Sequence, residues 1–111
     1  MNFLYFSNNT LIAKSLDSIP QIDTAFIDLE IIGKEERQKG TNSLISYHKF
    51  EDISTFKEIL TNTLVGVRIN PIHSNSKKEI DECIKRGTDI IMLPMFKNKK
   101  EVFQCLDFIN N

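Results

Sequence analysis

Apolar and polar positions along the chain switch repeatedly between short continuous apolar runs and helical spacing, which predicts four strand-then-helix units. Residues 2–7, "NFLYFS", read as a short strand, and 9–19 as a helix with Leu11, Ile12, Leu16 and Ile19 on one face, closed by Pro20. "TAFIDLE" (24–30) is the second strand, and the helix that follows spans about 53–60 with Ile53, Phe56, Ile59 and Leu60 inward. "LVGVRIN" (64–70) is the third strand, ended by Pro71. Its helix covers 76–86, with Ile80, Cys83 and Ile84 inward and Gly87 placed to end it with a left-handed residue. "DIIMLPM" (89–95) is the fourth strand, and a last helix from about Lys99 presents Val102, Cys105, Leu106 and Ile109.

Nearly all-apolar strands, each followed by an amphipathic helix, argue for an α/β fold with a parallel sheet in a single domain spanning 1–111. The expected strand order is 1-2-3-4 with the helices on one face. Phe3, Tyr5, Phe26, Ile90 and Met92 would then line the opposite, open face. The one long connection, 31–50, is of a length that is usually functional, disordered or partly helical; "GKEERQ" within it reads as the start of a short helix or an ordered active-site loop.

Ligands of α/β folds sit at the carboxyl ends of the strands. Strand parity puts Phe26, Asp28 and Glu30 on one face of strand two, and Gly66, Arg68 and Asn70 on one face of strand three. A charge in such a position needs a partner, since an unpaired buried ion costs several kcal/mol. Arg68 is therefore expected beside Asp28 or Glu30. It either serves structure alone or grips a ligand carboxylate with its planar guanidinium.

Composition narrows the function classes. Of 111 residues, 26% are charged and the net charge is −1, so no nucleic-acid or membrane electrostatics are implied. Lys77-Lys78 and the lysines of 97–100 read as solvated helix ends, because no aromatic platform accompanies them. "MNFLYFSNN" lacks a basic n-region and a long apolar core, so a secretory signal is not expected and the expected location is cytoplasmic. Cys83 and Cys105 fall at apolar helix positions, as reduced core thiols rather than a disulfide or metal pair. His48 and His73, isolated in loops without ligand spacing, read as surface histidines, although His48 lies in the long connection and could face the pocket. "SNNTLIAK" lacks the glycines of a nucleotide-binding loop, and no nucleophile elbow is present.

"FIDLE", "GKEERQ", "VRINP" and "DIIMLPMF" occur in the order and spacing of the HpcH/HpaI aldolase and citrate lyase beta-subunit family, which the whole chain resembles. The resemblance implies the parallel (βα)4 half of a TIM (β/α)8 barrel. It also implies a carbon–carbon lyase acting through an enolate on a small-molecule carboxylate substrate, a 2-keto acid or an acyl thioester. Arg68 matches the arginine that binds the substrate oxygen and stabilises the enolate. Asp28 and Glu30 match the acidic strand end, and Lys34 and Arg37 the basic pair after it; Asn70 joins them as a substrate-binding candidate. Two departures speak against acyl-CoA use and the aldolase branch's base. Ile31 replaces an acid or histidine, and "FSNN" replaces a proline-glycine turn.

Magnesium or another divalent metal belongs to the complete family fold, on carboxylates of later strands. A closed barrel takes ~250 residues. The expectation is thus an incomplete enzyme that binds metal poorly alone and self-associates or pairs with a missing C-terminal half. The alternative is a non-catalytic half-barrel that dimerises, or an interaction or anion-binding module.

Overall fold

Four strands and four helices alternate through the described residues, 3–6, 9–30 and 42–110 of a computed structural model. They are β1 (Phe3–Phe6), α1 (Thr10–Leu16), β2 (Ile22–Asp28), α2 (Asn42–Ile59), β3 (Leu64–Arg68), α3 (Ser76–Lys85), β4 (Ile90–Met92) and α4 (Lys99–Asn110). The strands form one parallel sheet in the order β1-β2-β3-β4. Residues of all four described helices join one buried cluster with a single face of the sheet.

The register explains the core. Ala25 pairs with Val65 and Ile27 with Val67, so the branched residues of both strands point one way. Together with Leu29 and Ile69 they are buried against Ala13 and Leu16 of α1, Ile53 and Phe56 of α2, Leu60, Ile80 and Cys83 of α3, and Cys105 of α4. Fully burying each large side chain here contributes about 1.5–3 kcal/mol. The opposite face carries Phe26 opposite Gly66, and Ile90 and Met92 in register with Gly66 and Arg68. Two corrections apply to that face. In the register of β1 with β2 it is Leu4 that pairs with Thr24, and Leu4 is 55% exposed. Phe26 is only 2% exposed, so the face is not open at its centre.

The expected inward set of α2, Ile53, Phe56, Ile59 and Leu60, is the one that meets the core, whereas the other three helices each turn part of their expected stripe outward. In α1 the buried stripe is Ala13 and Leu16, leaving Leu11 78% exposed and Ile12 and Ile19 also outward. In α3, Ser76, Ile80 and Cys83 face inward and Ile84 is exposed. In α4, Cys105 and Phe108 meet the core, while Phe103, Leu106 and Ile109 are exposed. Cys105 is buried as expected, whereas the buried Ala13 is a small residue that a count of large apolar side chains overlooks. The second helix starts at Asn42, well before the expected 53, inside the connection read as mostly irregular. Its first turns hold Asn42, Ser43, Ser46 and His48, all weak helix formers that hide a helix from a propensity reading.

Helix ends are specified locally. Asn9 caps α1, its Oδ1 accepting from the N–H groups of Leu11 (2.9 Å) and Ile12 (3.2 Å). After α3, Gly87 takes φ +98°, Gly87 N–H donates to Ile84 O, and Thr88 N–H donates to Cys83 O. This is the Schellman pattern, and glycine supplies its left-handed residue at no steric cost. At the N-terminal ends of the strands, Asp17 accepts from Thr61 N–H (3.1 Å), Thr61 Oγ1–H (3.0 Å) and Asn62 N–H (2.7 Å). That ties the α1–β2 turn to the α2–β3 turn. No described helix is long and apolar enough to cross a membrane.

Candidate anion-binding site at the strand ends

Asp28 and Arg68 are register partners at the last positions of β2 and β3, on the face away from the helices. Adjacent parallel strands hold them at one height, so their side chains meet without bending the backbone. Arg68 Nε donates to Asp28 Oδ1 at 3.1 Å and Nη2 to Oδ2 at 2.5 Å, a bidentate pair. The Asp28 hydrogen bond is the first cause that pushes the Arg68 guanidinium above its ordinary value, with the charges of Asp28 and Glu30 adding to it against partial burial. The pair stays 34% and 31% exposed, within reach of a dissolved ligand.

The backbone around the pair is tightly engaged. Glu30 N–H donates to Asp28 Oδ1 at 2.9 Å, which turns the chain just past the strand. Leu29 N–H donates to Arg68 O at 2.9 Å, and Ile69 N–H to Met92 O at 3.1 Å, extending the ladder beyond the strands proper. Met95, just past β4, has φ +46°, a left-handed conformation that costs a non-glycine residue ~1–2 kcal/mol. Such strain clusters at functional rims.

The candidate residues separate. Arg68 and Asp28 are joined, and Glu30 follows directly. Asn70 is buried, and its Nδ2 donates to Leu29 O (3.0 Å) and Glu79 Oε2 (2.6 Å). Those bonds tie Asn70 to the end of β2 and to the first turn of α3. Lys34 and Arg37, and the whole "GKEERQ" stretch, lie outside the described residues. His48 falls on α2, and its side chain lies outside the described set. His73 is partly exposed, its side chain 27% accessible. Its Nδ1 accepts from Asn75 N–H, and its Nε2 is buried 3.8 Å from Glu79 Oε2. Both cysteines are free and buried, and burial pushes the Cys83 thiol up to about 12.

Among the described residues, no group of three or more His, Cys, Asp or Glu side chains could hold a metal ion. Magnesium favours about six oxygen ligands. Here Asp28 is taken up by Arg68 and Glu79 by Asn70, so these residues do not fit that ion. The participant that sequence reasoning missed is Glu79. Its one signal was an acidic residue in the first turn of the helix after β3.

No protein-family model matches the chain. Over 41 residues, 36% of this chain and 2% of the other, it is 51% identical to the RNA-directed RNA polymerase L of human respiratory syncytial virus. Over 39 residues, 34% and 2%, it is 51% identical to the same-named protein of human respiratory syncytial virus A, strain A2. The chain spans about 2% of the length of these curated relatives. A response regulator from Thermotoga maritima superposes with a TM-score of 0.46 at 15% identity, covering all of both chains, a likeness too distant to carry an inference.

Proposed function

We propose that the chain is the carboxylate-holding part of a carbon–carbon lyase of the aldolase and citrate lyase type, built as the first half of a (βα)8 barrel and working in the cytoplasm. The observation that carries the proposal is the bidentate Arg68–Asp28 pair at the C-terminal ends of adjacent parallel strands, about one-third exposed on the sheet face opposite the described helices. In this reading Arg68 receives the carboxylate or carbonyl oxygen of a 2-keto acid and stabilises the negative charge that an enolate places there, while Asp28 fixes the guanidinium plane. Lys34 and Arg37 would add the positive charge that offsets Glu30.

Support for the half-barrel comes from the consecutive strand order and, among the described residues, from helices packed on one sheet face. A doubly wound sheet reverses direction at a switch point and carries helices on both faces. The metal carboxylates of the family would come from a further set of strands, so the chain alone turns over poorly. The short stretch shared with the viral polymerase covers too little of that protein to transfer a polymerase role.

A second reading, an association module, is favoured by a different feature. Met95, Phe96, Phe103 and Leu106 are exposed, and β4 is an edge strand of the sheet among the described residues. Exposed apolar groups and edge strands invite a partner.

The test is calorimetric titration with oxalate, a planar mimic of a 2-keto-acid enolate. Saturable binding that disappears in Arg68→Ala supports the proposal. Identical heats from wild type and Arg68→Ala reject it.

A further inference from the structure

We infer that Glu79, acting through Asn70, is a positioning residue for the Arg68–Asp28 pair. The inference deepens the proposed carboxylate site and rests on it for its functional meaning, although the structural coupling is separable.

The chain of contacts is continuous. Glu79 sits in the first turn of α3, where its N–H donates to Asn75 O at 3.0 Å and the helix dipole favours an anion. Its carboxylate spans Asn70, with Oε1 accepting from Asn70 N–H at 2.9 Å and Oε2 from Asn70 Nδ2 at 2.6 Å. So gripped, the Asn70 amide has one orientation, and Nδ2 also donates across to Leu29 O at 3.0 Å. Leu29 is then held on both sides by the end of β3, through its N–H on Arg68 O and its carbonyl on Asn70. With Leu29 fixed, Glu30 N–H is presented to Asp28 Oδ1, the oxygen that also accepts from Arg68 Nε. A helix carboxylate thus sets the rotamer of a strand-end aspartate on the neighbouring strand.

Several observations set this apart from ordinary helix capping. The Glu79 side chain is only 10% exposed, so its charge has been taken largely out of water. Burial of that kind is costly unless every lone pair is used. Its hydrogen bonds go to a residue of the preceding strand end and leave the cap of α3 itself without a side-chain bond from Asn75. Asn70 is buried, and both its backbone N–H and its side chain join this network.

The experiment follows the Arg68 Nε–H signal by ¹⁵N NMR in the full 111-residue chain, for wild type, Glu79→Gln and Asn70→Ala. Asp17→Asn, at the opposite end of the sheet, is the control for general loss of stability. Glutamine keeps an acceptor for the Asn70 N–H but presents an amide to Nδ2, so the clip loosens without leaving a cavity. The expected result is Arg68 Nε–H exchange with water faster by about tenfold in both variants, the factor that one lost hydrogen bond to a charged group implies. The control should leave it unchanged. An Arg68 signal that neither variant moves, or that the control moves equally, overturns the inference. Should one variant fail to fold, the other decides.

Oxalate titration of the same samples keeps the two claims apart. Binding weakened about tenfold by Glu79→Gln supports both. A wild type that does not bind oxalate removes the carboxylate reading, while the Arg68 exchange rate still decides the coupling.

Discussion

Replacing Gly66 by alanine tests the packing beneath the site. A methyl at Gly66 would stand 2.5, 2.6 and 2.8 Å from Cε1, Cδ1 and Cζ of Phe26. Carbon–carbon contacts are comfortable at ~3.5–4.0 Å, so the ring would have to retreat by about 1 Å. Phe26 is 2% exposed and has no solvent side to retreat into. Overpacking of this kind costs about 1–3 kcal/mol, offset by the ~0.5–1 kcal/mol that alanine gains over glycine in a regular element. The expected net loss is about 1–2 kcal/mol. Urea unfolding reads it as a lower midpoint at unchanged slope. In a Phe26→Leu background the same substitution should be nearly neutral, a coupling of about 1 kcal/mol or more. A Gly66→Ala chain as stable as wild type, or an equal cost in both backgrounds, refutes the reasoning. Gly66 and Phe26 lie two residues before Arg68 and Asp28 on the same face, so the ring also supports the height of the pair.

Three further outcomes are expected. Burial pushes the Asp17 carboxyl up, but the N–H donors of Asn62 and Thr61 and the Thr61 hydroxyl outweigh it and leave the group below its ordinary value. Its stabilisation is therefore present above the ordinary carboxylate value near ~3.9 and lost as pH falls through the lower folded value. Asp17→Asn should cost about 1 kcal/mol at neutral pH, and its unfolding curve should converge with that of wild type toward about pH 2. Burial raises the Cys83 thiol to about 12 and also raises Cys105, so native chain at pH 8 should resist a thiol reagent that labels both cysteines in urea; equal labelling rates would contradict their placement. Because the folded thiol holds its proton more tightly, Cys83 contributes stability that declines as pH rises above the ordinary thiol value of ~8.5. Finally, Phe103→Asp with Leu106→Lys should lower any concentration-dependent association seen by sedimentation, and an undiminished association would remove the α4 face from the second reading.

The sheet was legible because its strands are nearly pure apolar runs bounded by Pro20, Pro71 and Gly87, and parity alone put Asp28 or Glu30 beside Arg68. Helix phase was less legible. Ala13 is the innermost position of α1, a small residue with a weak hydrophobic signal beside Leu11, which points outward; in α4 Cys105 was read correctly, but Leu106 and Ile109 are exposed. The early start of α2 was hidden by its serines and asparagine, whose side chains compete for backbone hydrogen bonds. At the site, Asn70 shares strand parity with Arg68, so it read as a ligand contact. The strand itself ends at Arg68, and parity gave no sign that the amide of Asn70 also bonds Leu29 and Glu79. Glu79 was invisible because its partner lies nine residues back, across a turn that no periodicity describes.

The measurement that tests the central claim most directly is a map of oxalate binding by NMR on the uniformly labelled chain. The account predicts that Arg68 Nε–H and the backbone amides of Leu29, Glu30 and Ile69 shift together with one saturable curve, and that acetate at the same concentration leaves them in place. Shifts confined to the lysines of 97–100, or a curve for Arg68 that acetate reproduces, would contradict it.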